Sequence, residues 1–326
     1  MKSSERSRTI DAASAYTKVA GTFYDESGKV PRSVIVGEWG LYKGWNLHHL
    51  IGIRMSARKS IRQYRHTLSG REAKILSSLS YRDRTIFTAD DLKEFTPNPK
   101  NLLDGLSRKK WVLKIRKGVY AIVPFEAGEL GSVSYTLHSF VIASFLVEPY
   151  YIGYWSALNH HGLTDQTPPA VYVATTRPKN SRTILDTRFR FVTIPKRKMF
   201  AVDEIEIEKR KVRISSREKT IADCLDHPEH CGGVEEVAKA LYFARDEIDC
   251  KKLVQLAERI GNNAVLKRLG YISEELRLDK YSALLSTVTL KSGYSALDST
   301  LRTRGKIRER WKLIVNIPID PVGWSM

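Results

Sequence analysis

From Leu68 onward the apolar positions fall into regular patterns. In LSGREAKILSSLSYRDR, Ala73, Ile75, Leu76 and Leu79 form a helical stripe. IFTADDLKEF comes next, with Thr88 and Asp91 in the spacing of a helix cap and Leu92 and Phe95 turned inward. In TPNPKNLLDGLSRKKW a third helix starts, with Asn98 as cap and Pro99 in its first turn. At 100° per residue, Leu102, Leu103 and Leu106 share one side, and Lys100, Asn101, Asp104, Ser107 and Arg108 fall opposite. WVLKIRKGVYAIVP then alternates about Arg116, Lys117 and Gly118, as a β-hairpin does. Three short helices closed by a basic hairpin is the element order of a winged helix-turn-helix.

After Pro124 the pattern changes. SYTLHSFVIASFLVEPYYIGYWSALNHHGLTDQ predicts a buried helix, a turn at Glu148–Pro149 and a short helix around Trp155–His160. Strands are expected at AVYVATT (170–176), FRFVTI (189–194), DEIEIE (203–208) and KVRIS (211–215). Helices are expected in SREKTIADCLD, GVEEVAKALYFARDE and DCKKLVQLAERIGNNAVLKRLGYISEEL. The first 54 residues show no helical or strand period. Two readings stay open for them: a loosely attached extension, or the product of an upstream start, because Met55 opens the well-patterned sequence. The expected fold class is α+β. An N-terminal extension (1–54) precedes a winged helix-turn-helix (55–124), a mixed α/β region (125–215) and a mainly helical section (216–326).

Composition narrows the class. With 42% hydrophobic and 28% charged residues the chain is neither a disordered tail nor a membrane protein. Its most apolar stretch, Val133 to Leu158, is interrupted by His138, Glu148 and Pro149 and falls short of the ~20 apolar residues of a spanning helix. MKSSERSRTI has no apolar core and is no signal peptide. Three cysteines are too few for a disulfide framework in 326 residues. The expectation is a cytoplasmic protein.

Charge supplies the first functional clue. The chain carries a net +18, and residues 55–124 alone carry 16 bases against 6 acids. A fifth of the chain thus holds over half of the excess, which points to a polyanionic partner, double-stranded DNA above all. Between Asn98 and Gly118 stand Lys100, Arg108, Lys109, Lys110, Lys114, Arg116 and Lys117, with Asp104 the one acid. A polar helix face bearing Arg and Asn reads base edges in the major groove, and hairpin bases neutralise phosphates. Arg177, Lys179, Lys196, Arg197 and Lys198 are read as exposed bases for a partner or a second stretch of nucleic acid.

No catalytic constellation emerges. Cys224, His227, His230 and Cys231 are all zinc-binding types, but the adjacent His230 and Cys231 cannot form facing ligand pairs, and Gly232–Gly233 points to a turn between helices. No metal and no cofactor are expected. Ser156 beside His160 and His161 lacks the Gly-x-Ser-x-Gly turn of a hydrolase and reads as a helix residue, with Gly162 ending the helix. Asp186, Glu206, Glu208 and Lys209 imitate a metal-dependent nuclease cluster, yet alternating Glu and Ile is the pattern of a half-exposed strand. Tyr150, Tyr151, Tyr154 and Trp155 supply apolar area for a core where helix meets sheet.

A basic winged helix ending in KGVYAIVP, then YYIGYWSALNHHGLTDQTPPAVYVATT, then SREKTIADCLD…CGGVEEVAKAL and LDSTLRTRGKIRERWKLIVNIP, resembles the AbiEi family of antitoxins and transcriptional regulators. The resemblance runs from about Leu68 to Asp320, and the stretch from Tyr151 to Thr176 is its most specific part. It implies a repressor of its own operon whose C-terminal region counteracts a co-encoded nucleotidyltransferase-like toxin, without enzymatic activity. By position, DNA contact would fall on Lys100, Asn101, Ser107, Arg108, Lys114, Arg116 and Lys117. Two rival readings are a nuclease guided by its winged helix, with Glu206 or Glu208 in the site, and a protein-interaction module that leaves DNA alone.

Overall fold

The computed structural model describes the backbone of residues 17–19 and 22–24, and residues 64–286 and 288–324. The chain divides between Gln63 and Tyr64, so the boundary expected at residue 54 lies outside the described residues. In the first part, β1 (Thr17–Val19) and β2 (Thr22–Tyr24) pair antiparallel with Thr17 opposite Tyr24.

Residues 64–124 begin with α1 (Gly70–Tyr81), set by a reciprocal capping box. The Glu72 amide donates to Ser69 Oγ at 3.3 Å, and the Ser69 amide donates back to Glu72 Oε2 at 2.7 Å. The helix buries Ile75, Leu76 and Leu79. After β3 (Ile86–Thr88), the Thr88–Asp91 cap is present as expected, with Thr88 N–H 2.7 Å from Asp91 Oδ2. It starts a single 3₁₀ turn, Asp90–Leu92, where the sequence predicts a helix. Pro97 and Pro99 account for the difference, since each drives the preceding residue out of the helical region. α2 (Pro99–Arg108) comes next, with Asn98 accepting from the Asn101 amide and Leu103 and Leu106 buried. The hairpin of β4 (Val112–Arg116) and β5 (Val119–Ile122) turns at Gly118, whose φ of 80° suits a residue without Cβ. These strands form a three-stranded sheet in the order β3-β5-β4.

That small sheet contributes to a core on each of its faces. Phe87 and Val112 join Ile75, Leu76, Leu79, Leu92, Leu103 and Leu106 on one side. Ile86, Leu113, Ile115, Val119 and Ala121 point the other way, into a core shared with residues beyond Pro124. Residues 64–124 are therefore packed directly onto the region after Pro124 rather than joined to it by a linker. Arg210 reinforces the junction, donating to the Asp83 carbonyl at 3.1 Å.

The shared core lies against a six-stranded mixed sheet with order β10-β11-β6-β7-β9-β8. Its strands are β6 (Tyr150–Ile152), β7 (Val171–Thr175), β8 (Arg182–Ile184), β9 (Thr187–Thr193), β10 (Val202–Ile207) and β11 (Arg210–Ser215). β11–β6 and β7–β9 are parallel, and the other neighbours are antiparallel. Central β7 is buried along its whole length and alternates its side chains between layers. Val171 and Val173 join the face covered by α3 (Ser139–Ser144) and the small sheet, whereas Tyr172 and Ala174 join the helical layer. β6 does the same, sending Tyr150 and Ile152 one way and Tyr151 the other.

The helical layer contains α4 (Tyr154–His160), α5 (Arg217–Asp226), α6 (Val234–Phe243), α7 (Cys250–Ile260), α8 (Asn263–Glu275) and α9 (Asp279–Leu285). α6 has Gly233 at its cap position and borrows a carboxylate from far along the chain. Asp298 Oδ2 accepts from the Val234 amide at 2.8 Å, satisfying a helix-terminal N–H. The helices end at Leu285, and the last stretch forms a second three-stranded sheet of β12 (Ser295–Ala296), β13 (Lys306–Arg308) and β14 (Leu313–Val315). The mainly helical section expected to residue 326 thus closes about forty residues early. Cys224 and Cys231 form a disulfide across the turn after α5. No helix of the described residues is long and apolar enough to cross a membrane.

Candidate nucleic-acid interface

Two elements present the basic residues singled out in the sequence. α2 turns Leu103 and Leu106 into the core, which leaves Lys100, Asn101, Asp104 and Arg108 exposed and Ser107 half-buried. The Arg108 guanidinium rests against its own helix, donating to the Asp104 carbonyl at 3.3 Å. Beside α2 the hairpin holds Lys114, Arg116 and Lys117 exposed, with Ile115 inward. Lys100, Asn101, Arg108, Lys114 and Lys117 are exposed, with no side-chain partner outside their own element among the described residues.

Three other candidates have structural partners. Lys109 Nζ donates to Glu72 Oε2 at 2.6 Å, closing the α1 capping box onto α2. Burial opposes ionisation of Glu72, but hydrogen bonds from Lys109 and Ser69 outweigh it and hold the carboxyl below its ordinary range. Lys110 is half-buried at φ 66°, and its carbonyl accepts from the Ser132 amide. Gly131 packs against that same backbone, and a Cβ there would stand 2.6 Å from the Lys110 oxygen. Arg116 Nε donates to the Phe145 carbonyl at 2.6 Å, so it braces the hairpin against the end of α3.

The second set is more dispersed than expected. Lys198 is 8% exposed and ion-paired with Asp226, which corrects its assignment as a surface base. Its sequence KRK reads as a solvated run, but Pro195 starts a 3₁₀ turn that points the third residue inward. Arg197 donates to the Ile260 carbonyl at 2.8 Å, capping α7. Lys179 is half-buried over the Phe191 ring and donates to the Leu146 carbonyl. Arg177 and Lys196 are exposed.

The fold also joins residues that sequence distance hides. Burial lowers the Lys179 pKa, and the positive charges of Arg182 and Arg116 lower it further. Arg182 and Arg188 are exposed on β8 and β9. Neither is picked out by the sequence: β8, which carries Arg182, is too short for its alternation to be seen, and Arg188 lies just before the strand expected at 189–194.

The remaining chemistry-bearing residues are placed plainly. Ser156 lies within α4, donating to the Ala170 carbonyl and accepting from the Tyr172 amide at 2.9 Å. Among the described residues, the one group of His, Cys, Asp or Glu close enough to hold an ion is His227, Glu229 and His230. Asp186, Glu206 and Glu208 therefore do not gather into a ligand set. Tyr150, Tyr151 and Tyr154 are buried, as a core role requires.

His161 adds a pH dependence. Its ring Nε2 bonds the Ser215 carbonyl at 2.7 Å, as an N–H donor. Burial depresses its pKa, the Ser215 bond partly offsets this, and Arg217 lowers it further against Asp203 and Glu218. Burial also lowers the His160 pKa, with His161 and His138 adding to the effect. Both therefore favour the neutral ring in the folded chain, and the unfolded chain takes up protons first. Their contribution to stability is expected to be full above about pH 6.5 and to decline below it. Urea midpoints at pH 7.5 and 5.5 check this, and His161→Gln should flatten the difference.

No protein-family model and no curated protein matches the chain. Among solved structures it is similar to the crystal structure of the Rv2827c protein from Mycobacterium tuberculosis, with a TM-score of 0.58 at 14% identity. The likeness covers 77% of this chain and 93% of that one. It is a likeness of fold, and it sets the mixed α and β architecture beside a known one.

Proposed function

We propose that the chain is a DNA-binding autorepressor in which residues 64–124 act as a winged helix-turn-helix. α2 is the recognition helix, and β4 and β5 form the wing. One observation carries the reading: the exposed face of α2 bearing Lys100, Asn101 and Arg108 stands beside a hairpin that exposes Lys114 and Lys117. Asn and Arg read base edges, and the hairpin lysines grip phosphates. Bound at its own operator, the protein keeps polymerase off by occlusion.

The region after Pro124 is assigned an antitoxin role against a co-encoded nucleotidyltransferase-like toxin. This part of the reading rests on the AbiEi resemblance of the Tyr151–Thr176 segment. Expression of a neighbouring nucleotidyltransferase-like gene with and without this chain tests it, and equal growth arrest in both would sink it.

The two kinds of DNA contact separate by mutation. Arg108→Ala is expected to weaken operator binding by ~1–3 kcal/mol and relax preference at one base position. Lys117→Ala should weaken operator and scrambled DNA alike and reduce the salt slope by about one. Lys109→Ala should instead lower stability by ~0.2–1 kcal/mol through its lost Glu72 pair. Identical behaviour of Arg108→Ala and Lys117→Ala on both DNAs would overturn this division.

A further inference from the structure

The turn between α5 and α6 brings together three donors that the proposed DNA binding does not use. A nitrogen from each of His227 and His230 and an oxygen of Glu229 lie within 4.8 Å of one another. The sequence, read by residue type, offers two cysteines and two histidines here. In the structure the cysteines are bonded to each other, and Glu229 takes their place beside the imidazoles. From these donors we propose that His227, Glu229 and His230 form a binding site for a divalent transition-metal ion of the zinc class.

The donor set suits such an ion. The two imidazoles favour zinc and its neighbours over magnesium or calcium, and two histidines with one carboxylate leave coordination positions open. His227 Nδ1 stands 2.9 Å from Glu229 Oε1. Donors on a tetrahedral ion with ~2.1 Å bonds are about 3.4 Å apart, so this pair is already near ligand spacing. His230 Nδ1 is buried and has no hydrogen-bond partner among the described residues, leaving a lone imidazole nitrogen that an ion or its water would satisfy.

Supporting contacts match those of a metal centre. His227 Nε2 lies 3.4 Å from Asp226 Oδ2, the carboxylate–histidine arrangement that orients a ligating ring. Ser299 Oγ donates to Glu229 Oε2 at 3.1 Å, fixing the other oxygen of the proposed ligand. The turn itself is held by the His230 amide bond to the His227 carbonyl and by the Cys224–Cys231 disulfide. The two imidazole rings lie nearly parallel, 21° apart, with the Tyr154 ring edge-on to both. An ion here joins the end of α5 to the Ser299 segment.

The test is zinc affinity of the full chain by competition with a chromophoric chelator, together with the visible spectrum of the cobalt-loaded protein. One zinc per chain is expected. Affinity should fall at least about 100-fold in His230→Ala and Glu229→Gln, about tenfold in Ser299→Ala, and not at all in His160→Gln. The Glu229→Gln side chain can still bond to Ser299, so it reports on the ligand apart from any effect on folding, which circular dichroism monitors. Cobalt should give weak d–d bands without thiolate charge transfer. Substoichiometric zinc, undiminished affinity in His227→Ala/His230→Ala, or a thiolate band would each overturn the assignment.

Discussion

Lys219→Ala is expected to lower the free energy of unfolding by ~3–5 kcal/mol, the cost of leaving a buried charge without its partner. Lys219 is fully buried on α5 and ion-paired with Asp223 one turn later. Tyr151 completes the group: its hydroxyl donates to Asp223 Oδ2 at 2.9 Å and lies 3.3 Å from Lys219 Nζ. The ammonium also faces the Phe200 ring at 4.8 Å. Burial pushes the Asp223 pKa up, and Lys219 opposes that push. Without the lysine the folded-state pKa climbs further, so the variant should lose stability progressively as pH rises above about 4. Urea unfolding at pH 5 and pH 8 measures this. Lys219→Met with Asp223→Asn should recover most of the loss, since removing both charges removes the uncompensated one. A loss below about 1 kcal/mol in Lys219→Ala would show that this group does not hold the helix to the sheet.

Gly270→Ala is the second large effect, and its sign is informative. At an open helix position the change would stabilise by ~1 kcal/mol. In α8 a Cβ at residue 270 would overlap ring atoms of Trp311. Trp311 is 3% exposed and its indole N–H donates to Glu274, so the ring has no free space to enter. The variant is expected to be less stable by ~1–3 kcal/mol, with an altered near-ultraviolet signal from the displaced tryptophan. Trp311→Leu in the same background should restore part of the loss. A gain in stability would mean that the closing segment does not pack on α8.

How much of the fold and the candidate site is legible in the sequence depends on how local the cause is. Caps are readable because their partners lie three residues apart: Thr88 with Asp91 and Asn98 with Asn101 are bonded. The four strands expected between residues 170 and 215 show through their runs of β-branched and apolar residues, whereas β6 and β8, three residues each, do not. Six of the nine α2 and hairpin candidates stand exposed because amphipathicity sorts an element by face. Lys109, Arg116 and Lys198 stand engaged because their partners, Glu72, the Phe145 carbonyl and Asp226, are 28 or more residues away. The Asp298 cap on α6 and the Trp311 seat on Gly270 are invisible for the same reason. Glu229 gives no signal of its own in the sequence, because residue type draws attention to the cysteines beside it.

The central claim, that α2 and its hairpin read a DNA sequence, is tested most directly by fluorescence anisotropy. The purified chain would be titrated with DNA from its own upstream region and with scrambled DNA across a salt series. A preference of about 10³ or more that survives physiological salt is the predicted result. Equal and steeply salt-sensitive binding to both DNAs would contradict it, leaving the +18 charge as a general grip on polyanions.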